Sequence, residues 1–308
     1  MSALRAGLAD YLALRRGLGY RLVRAEKLLA QFVAHLETSG QGYVTIEAAL
    51  AWARAPAGGS PGWWGHRLSV ARGFAAYLHT LDPAHEVPPA DLLAARTGRA
   101  TPYIYTDAEI AALIGAATGL RAPLRALTLS TLIGLLATTG LRIGEALGLD
   151  RSDLDLAEGI LAVRAGKFAK ARELVLHPTS VGALEEYLAQ RDRLCPAPAD
   201  PALFLSLAGT RLLYCNFHLA FCGLVATAGL VPRSSACRPR PHDLRHTFAV
   251  RTLAGWYAAG AEVGALLPAL STYLGHVSPS ATYWYLQAAP ELLGPAAERL
   301  ERHLGERP

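Results

Sequence analysis

Apolar residues recur at helical spacing along much of the chain, beginning at Leu4 and continuing to about Leu81. Polar and glycine-containing breaks interrupt the pattern at 17–19, 39–42 and 55–62. Breaks of this kind separate consecutive helices, so the pattern predicts four helices in a bundle. Arg67 and Arg72 lie off the apolar stripe of the fourth helix, which is therefore expected to expose a basic side.

The stretch between Asp82 and Tyr103 has no sustained hydrophobic period and carries several prolines. Such a composition is typical of an interdomain linker. At 308 residues, the chain is long enough for two domains that each bury a core. We therefore predict an N-terminal helical domain at residues 1–95, a linker at 96–102 and a second domain at 103–308.

The second domain opens with a capping-box spacing from Thr106 to Glu109, which predicts a helix running to about Ala117. After Asp150 the period changes, and two short strands are predicted around a turn that carries Lys167. The predicted strands cover 159–164 and 172–177. The other predicted helices cover 123–139, 140–147, 179–190, 211–228, 242–258, 262–274 and 279–286. The expected fold class is mainly α, with a small antiparallel β-sheet in the second domain.

Composition and charge narrow the function classes without deciding among them. Hydrophobic residues make up 52% of the chain and charged residues 18%, which favours a well-buried globular protein over a disordered one. The chain has 30 Lys and Arg against 25 Asp and Glu, and this basic balance suits a polyanionic partner without proving one. The four cysteines show no Cys-x-x-Cys spacing and no apolar signal segment opens the chain, so a cytoplasmic protein is expected.

Two long uncharged runs, 126–141 and 212–232, are broken by polar residues and glycines. We predict that they form buried helices and not membrane spans.

The stretch 241–285 combines arginine, histidines and phenols. A helix that opens at His242 places His242 and Arg245 three residues apart on one face, where they could hold an anionic oxygen. His246 follows His242 by four residues, a spacing that can hold zinc. Because no acidic or cysteine ligand accompanies the pair, no metal site is predicted.

Single residues elsewhere allow plainer interpretations. Arg142 could form a structural ion pair with Glu145, and Lys167 could be a solvated turn lysine. Tyr283 and Tyr285 are two aromatic residues of one helix, where packing is the ordinary explanation. The order of these arginine, lysine, histidine and tyrosine residues along the chain is more informative than any single residue.

An ordered series of polar residues resembles the signature of the tyrosine recombinase (phage integrase) family. The series consists of Arg142, Lys167 after Gly166, His242-x-x-Arg245, Leu274-Gly275-His276, and Tyr285 nine residues after His276. The resemblance extends from about residue 103 to residue 286, and the N-terminal helices resemble the core-binding domain of that family. It implies a site-specific recombinase that cleaves and rejoins DNA.

By that resemblance, Tyr285 is the nucleophile and forms a 3′-phosphotyrosyl link to DNA. His242 and His276 are the candidates that accept or share its proton. Arg142 and Arg245 bind the nonbridging phosphate oxygens and stabilise the charge of the transition state.

The resemblance also gives Lys167 the role of protonating the leaving 5′-oxygen. Because a phosphotyrosyl bond preserves the energy of the phosphodiester, neither a cofactor nor a metal is expected. Further candidates for contact with DNA are Arg67, Arg72, Lys170, Arg172 and Arg240.

Tyr283 is the rival nucleophile. On a helix, residues two positions apart point about 200° apart, so only one of Tyr283 and Tyr285 can face the arginines. The nine-residue spacing from His276 favours Tyr285, and Tyr283 is expected to pack. The segment 256–271 is longer than is usual in the family, and 296–304 is similar to the C-terminal segment with which family members pack on a neighbouring subunit.

Together these features predict a two-domain tyrosine recombinase or transposon integrase in the cytoplasm, associated with the nucleoid and not with a membrane. Its expected partners are double-stranded DNA with a specific recombination site and further copies of itself, as a tetramer on DNA. Sister recombinases are a further candidate partner. Two alternatives stay open: a type IB topoisomerase with the same Arg, Lys, His and Tyr chemistry, and a DNA-binding member of the fold without turnover.

Overall fold

Twelve helices and three short strands are present in the part of the chain that the structure describes. The structure is a computed structural model, and it describes residues 2–20, 22–93, 101–164, 171–276, 278, 280–288 and 294, with only the backbone at 287 and 288. The chain divides into two compact units, Met1–Arg99 and Ala100–Pro308. In these described ranges, every helix is too short or too polar to cross a membrane.

The N-terminal unit contains the four predicted helices, α1 (Ala3–Gly17), α2 (Val23–Thr38), α3 (Ile46–Arg54) and α4 (Pro61–Leu81). Three of them begin at polar caps, where the hydroxyls of Ser2, Thr45 and Ser60 accept hydrogen bonds from amides of the first turn. The apolar faces of all four helices meet in one hydrophobic core. The helical periodicity of the sequence is therefore confirmed in this unit.

Arg67 corrects the expectation of a uniformly basic exposed side on α4. Only 6% of this residue is exposed. Its Nη2 donates to the Trp52 carbonyl over 2.7 Å, and its guanidinium lies 3.8 Å from the centroid of the Trp52 ring. Arg67 is thus a packing residue, held by a hydrogen bond and a cation–π contact. Arg72 is partly exposed, and its Nη2 donates to Ser69 Oγ over 3.4 Å.

The second unit is mainly helical around a small sheet. Its described helices are α5 (Asp107–Thr118), α6 (Pro123–Thr139), α7 (Ile143–Gly148), α8 (Pro178–Leu194), α9 (Tyr214–Thr227), α10 (Asp243–Ala258), α11 (Val263–Leu274) and α12 (Ser280–Ala288). Its strands are β1 (Leu154–Asp155), β2 (Ile160–Val163) and β3 (Arg172–Val175). The predicted fold class, mainly α with a small antiparallel sheet, is confirmed.

The sheet has the order β1-β2-β3, and both pairs are antiparallel. Val163 lies opposite Arg172 at the end of the β2–β3 ladder. β1 was not predicted because two residues are too few to show the alternation of a strand. The turn at 165–170, which carries Lys167 and Lys170, lies outside the described residues.

Left-handed glycines end two helices of this unit, α6 and α11. Gly140 caps α6 with φ 61°, and Gly275 caps α11 with φ 66°. Such caps let the chain turn sharply while the last carbonyls of the helix stay accessible to other donors. At Gly140 a Cβ would lie only 2.6 Å from Cδ1 of Phe248, a residue of α10. The main chain at the end of α6 therefore packs directly on the helix that carries the His-x-x-Arg motif.

Gly140→Ala is expected to destabilise the protein by about 1–3 kcal/mol, because the added Cβ would meet the Phe248 ring from a left-handed backbone. Urea denaturation followed by circular dichroism measures the free energy of unfolding. Gly134→Ala in the same helix is the control, since the nearest atom to its Cβ would be 3.9 Å away and alanine favours a helix. An unchanged unfolding midpoint for Gly140→Ala would contradict this packing.

Candidate active site

Arg245 is anchored in the interior by two main-chain carbonyls. The residue is 2% exposed, and its Nη1 and Nη2 donate to the carbonyls of Gly140 and Leu274 over 2.7 and 2.6 Å. These carbonyls lie at the ends of α6 and α11, where the helix dipole is negative, so they stabilise a buried positive charge. Burial and then the charge of Arg142 lower the pKa of Arg245 to about 10. The side chain is still charged at neutral pH.

Arg142, the residue before α7, is held by a carboxylate and a carbonyl. Its Nη1 donates to Glu145 Oε1 over 2.6 Å, and its Nη2 donates to the Gly275 carbonyl over 2.8 Å. About a quarter of its side chain is exposed. Because Arg245 binds the carbonyl of Leu274 and Arg142 that of Gly275, the two guanidiniums attach to consecutive residues of one turn.

Glu145 is buried between two arginines. It accepts hydrogen bonds from Arg142 and, through both of its oxygens, from Arg172, while Arg172 Nε donates to the Tyr273 carbonyl over 2.8 Å. Burial alone would raise the pKa of Glu145, but the hydrogen bonds and charges of Arg172 and Arg142 outweigh burial and hold that pKa below its usual value. The carboxylate is therefore ionised at neutral pH.

Helix α12 turns Tyr285 into this cluster and Tyr283 away from it. Tyr285 is 2% exposed, whereas Tyr283 is 49% exposed. The Tyr285 hydroxyl lies 3.2 Å from Nδ1 of His246. The Tyr285 ring also lies nearly parallel to the ring of His276, with centroids 6.2 Å apart. The expectation that Tyr283 packs is wrong, because the two side chains of this helix point in opposite directions and one side faces solvent.

Three imidazoles belong to the cluster around Tyr285. The ring of His246 contacts those of Tyr285 and His242, with centroids 5.4 and 4.7 Å apart. On the other side, His276 Nδ1 lies 2.7 Å from the Thr282 hydroxyl, which fixes the orientation of that ring. Each of these imidazoles has a ring nitrogen that can accept a proton, and His246 is the one hydrogen-bonded to the Tyr285 hydroxyl in the described contacts.

The surroundings keep all three imidazoles neutral at pH 7. Burial, followed by the neighbouring His242 and arginines, lowers the pKa of His246 to about 3. Burial and then the charge of Arg245 lower the pKa of His276 to about 4. Partial desolvation and the charges of Arg245 and Arg142 also lower the pKa of His242 to about 4, although this residue keeps contact with solvent. A neutral imidazole can accept a proton from a phenol.

Comparisons with known proteins identify the family. Residues 105–291 match the model of the phage integrase family. A putative integrase/recombinase of Sinorhizobium fredii is 41% identical over 313 residues, covering 100% of this chain and 100% of that protein. The chain belongs to the phage integrase family. Tyrosine recombinase XerC of Pseudomonas aeruginosa is 31% identical over 284 residues, covering 92% of this chain and 78% of that protein.

Solved structures share the fold of this phage integrase family member. The Tn1549 transposon integrase in complex with a circular intermediate DNA aligns with a TM-score of 0.66 and 21% identity, over 96% of this chain and 99% of that chain. A lambda integrase tetramer bound to a Holliday junction aligns with a TM-score of 0.57 and 16% identity, over 92% and 76%. At this identity the likeness concerns the fold alone, and it agrees with the tyrosine recombinase architecture predicted from the sequence.

The structure brings most of the predicted catalytic residues of the phage integrase family into one cluster. These are Arg142, His242, Arg245, His276 and Tyr285. Lys167, the sixth, lies outside the described residues, as does Lys170. The roles of the five clustered residues and of the two lysines stay predictions.

Two of the arginines predicted to contact DNA are bound to carboxylates. Arg172 is 12% exposed and paired with the buried Glu145, so its guanidinium is held by protein groups and its contact with DNA stays a prediction. Its place in the sequence, beside a lysine-rich turn, gave no sign of this partner. Arg240 donates to both oxygens of Asp243 but keeps 40% of its side chain exposed, so its contact with DNA stays a prediction.

The sequence does not predict the roles of Glu145 and His246 in this cluster. It suggests Glu145 only as an ion-pair partner, although its place three residues after Arg142 also allows it to orient that arginine. It suggests His246 only as a zinc ligand, although a residue four positions from His242 shares that helix face. Within the described ranges, no three His, Cys, Asp or Glu side chains are grouped so that they could hold a metal ion.

Three of the ten histidines are expected to stay neutral well below pH 6. In a ¹⁵N imidazole NMR titration of the free protein, assigned with single His→Gln variants, His242, His246 and His276 should not protonate above about pH 5, whereas an ordinary histidine titrates near about 6.5. Between about pH 4 and 6.5 the unfolded chain then binds more protons than the folded protein, so the free energy of unfolding should fall as the pH is lowered through this window. Titration of all three near pH 6.5 would contradict these environments.

Proposed function

We propose that this protein is a site-specific recombinase that cleaves DNA with the Tyr285 hydroxyl and rejoins strands through a phosphotyrosyl intermediate. The observation that carries the proposal is the position of that hydroxyl, buried 3.2 Å from His246 in the cluster that contains Arg142 and Arg245. A phenol acts as a nucleophile toward phosphorus when a base and a bound phosphate are both at hand. Membership of the phage integrase family supports DNA strand transfer as the reaction.

Cleavage in this proposal is a substitution at phosphorus. The Tyr285 oxygen forms a bond to phosphorus, the bond from phosphorus to the 5′-oxygen breaks, and the DNA 3′-phosphate remains on the tyrosine. The phenol loses one proton and the leaving oxygen gains one, so protons balance. Attack by the 5′-hydroxyl of another strand reverses the steps and reseals the DNA, because the phosphotyrosyl bond keeps the energy of the phosphodiester.

The cluster favours ionisation of the tyrosine as it attacks. A free phenol has a pKa of about 10 and is protonated at neutral pH. Neutral His246 is hydrogen-bonded to the hydroxyl, and neutral His276 lies beside its ring, so both are candidate proton acceptors. The positive charge of Arg245 also interacts favourably with the phenolate form of Tyr285.

Two fixed guanidiniums support the proposed role in transition-state stabilisation. A guanidinium has five N–H donors, so the side chains of Arg142 and Arg245 can bind carbonyls and an anionic oxygen at the same time. Their attachment to the carbonyls of Gly275 and Leu274 sets them side by side. Donors that are already oriented need no rearrangement as charge develops on the phosphate. Lys167 is proposed as the acid for the 5′-oxygen on the sequence resemblance alone.

Duplex DNA and further copies of the chain are the proposed partners. The Tn1549 integrase structure is a complex with DNA, and the lambda integrase structure is a tetramer bound to a Holliday junction. The net charge of +5 is compatible with a polyanion. We assign the unit Met1–Arg99 to binding DNA next to the cleavage site, and binding should weaken as salt is raised.

The two alternative functions would give reaction products that differ from those of a recombinase. A type IB topoisomerase would relax supercoiled plasmid without producing recombinants, and a DNA-binding member without turnover would form no covalent adduct. The presence of a buried tyrosine, neutral imidazoles and two oriented arginines in one cluster argues against the second alternative.

Tyr285→Phe is expected to abolish a denaturant-resistant adduct with nicked candidate-site DNA, because it removes only the attacking oxygen. Gel electrophoresis of the denatured reaction measures the adduct. Tyr283→Phe is the matched control in the same helix and should keep the wild-type yield, since its ring is half exposed. An adduct that persists in Tyr285→Phe and disappears in Tyr283→Phe would reverse the assignment.

Arg142→Lys is expected to slow adduct formation on the order of a hundredfold or more, because a lysine keeps the charge but its single nitrogen cannot occupy both positions from which Nη1 and Nη2 bind Glu145 and Gly275. Single-turnover kinetics on nicked DNA give the rate, and a filter-binding titration gives the affinity, which should change little. A rate within about threefold of wild type would show that a point charge suffices and would contradict the proposed geometry.

A further inference from the structure

Arg172 joins strand β3 to two other parts of the candidate active site. It is the first residue of β3, five positions after Lys167. Its Nη1 and Nη2 donate to the two oxygens of Glu145 over 3.2 and 2.8 Å, and its Nε donates to the Tyr273 carbonyl over 2.8 Å. One partly buried guanidinium thus connects strand β3 to α7 and to the end of α11.

The turn before His276 rests on this guanidinium. A Cβ at Gly275 would lie 2.7 Å from Arg172 Nη1, closer than side-chain atoms ordinarily approach. A residue with a Cβ at this position would displace the Arg172 guanidinium, and the φ of 66° also favours glycine. Because Arg142 binds the Gly275 carbonyl, Arg172 supports both groups that hold Arg142, the carboxylate and the turn.

The hydrogen bonds of Arg172 saturate the Glu145 carboxylate. A carboxylate offers about four acceptor positions. Oε1 accepts from Nη1 of Arg142 and Nη1 of Arg172, and Oε2 accepts from the amide of Arg142 and Nη2 of Arg172. Arg142 consequently reaches the carboxylate with one terminal nitrogen, while its other terminal nitrogen donates to Gly275.

We infer that Arg172 is a positioning residue, which prevents a bidentate Arg142–Glu145 pair and so keeps Arg142 directed at the scissile phosphate. Two parallel hydrogen bonds are the favoured geometry of an arginine with a carboxylate. Without Arg172, Oε2 has an acceptor position for the second terminal nitrogen of Arg142, which then leaves the Gly275 carbonyl. The inference rests on the proposed cleavage reaction and adds the first residue of β3 to the groups that control it.

Single-turnover cleavage in a double-mutant cycle tests this role. Arg172→Ala is expected to slow adduct formation about 10- to 100-fold, the effect of misplacing an oriented group by roughly 1 Å. In a Glu145→Gln background, where no bidentate carboxylate pair can form, the same substitution should change the rate less than about threefold. Equal losses in the two backgrounds would show that Arg172 acts without Glu145 and would overturn the inference.

Two further variants separate positioning from charge and from folding. Arg172→Lys keeps the charge, but its single nitrogen cannot replace the two hydrogen bonds from Nη1 and Nη2 to Glu145, so it should be slow like Arg172→Ala while its circular dichroism stays that of wild type. Arg151→Ala removes the same charge from an exposed ion pair with Asp192 and should react at the wild-type rate. A wild-type rate in Arg172→Lys, or an equal loss in Arg151→Ala, would attribute the effect to charge and overturn the inference.

A crystal structure of Arg172→Ala without DNA tests the same contact independently of activity. Both terminal nitrogens of Arg142 should lie on Glu145, and the distance from Nη2 to the Gly275 oxygen should lengthen from 2.8 Å. An unchanged Arg142 would overturn the positioning role even if the variant is slow. Failure of wild type to form any adduct would instead overturn the proposed function, and the crystal structure would still decide the contact.

Discussion

A buried positive charge held by backbone carbonyls is the constraint on which the rest of the site depends. Arg245 is almost fully buried, and it is satisfied by the carbonyls that end α6 and α11. Both helices have to stop at left-handed glycines, Gly140 and Gly275, so that these carbonyls can turn toward α10. A buried guanidinium without such partners would be strongly destabilising. The two helix ends and the buried charge therefore stabilise each other.

The same charge sets the chemistry of its neighbours. Beyond burial, Arg245 and Arg142 help to lower the pKa values of His242 and His276, which leaves neutral imidazoles beside the Tyr285 hydroxyl. A cationic site that contained protonated histidines would bind a phosphodiester but could not take a proton from the tyrosine. The carboxylate of Glu145 partly compensates the positive charges of the arginines. It accepts hydrogen bonds from both Arg142 and Arg172. Neutral imidazoles and charged guanidiniums therefore coexist in this cluster at neutral pH.

The sequence allowed the helical fold and the clustered residues to be predicted because their signals are local or ordered along the chain. The caps and glycines defined the helices, and the spacing from His276 to Tyr285 distinguished the two tyrosines. Arg67 and Arg172 could not be placed in this way, since the former depends on Trp52 and the latter on Glu145, 27 residues away. Surface charge and buried charge look alike in a sequence, and only tertiary packing separates them.

The central claim is that the Tyr285 oxygen bonds to DNA, and mass spectrometry of the trapped adduct tests it most directly. After nuclease and trypsin treatment, the peptide that follows Arg251 runs to Arg299 and contains Tyr257, Tyr273, Tyr283 and Tyr285. Fragmentation of this peptide should place the residual nucleotide on Tyr285. A nucleotide on Tyr283, or on a residue outside this peptide, would contradict the account.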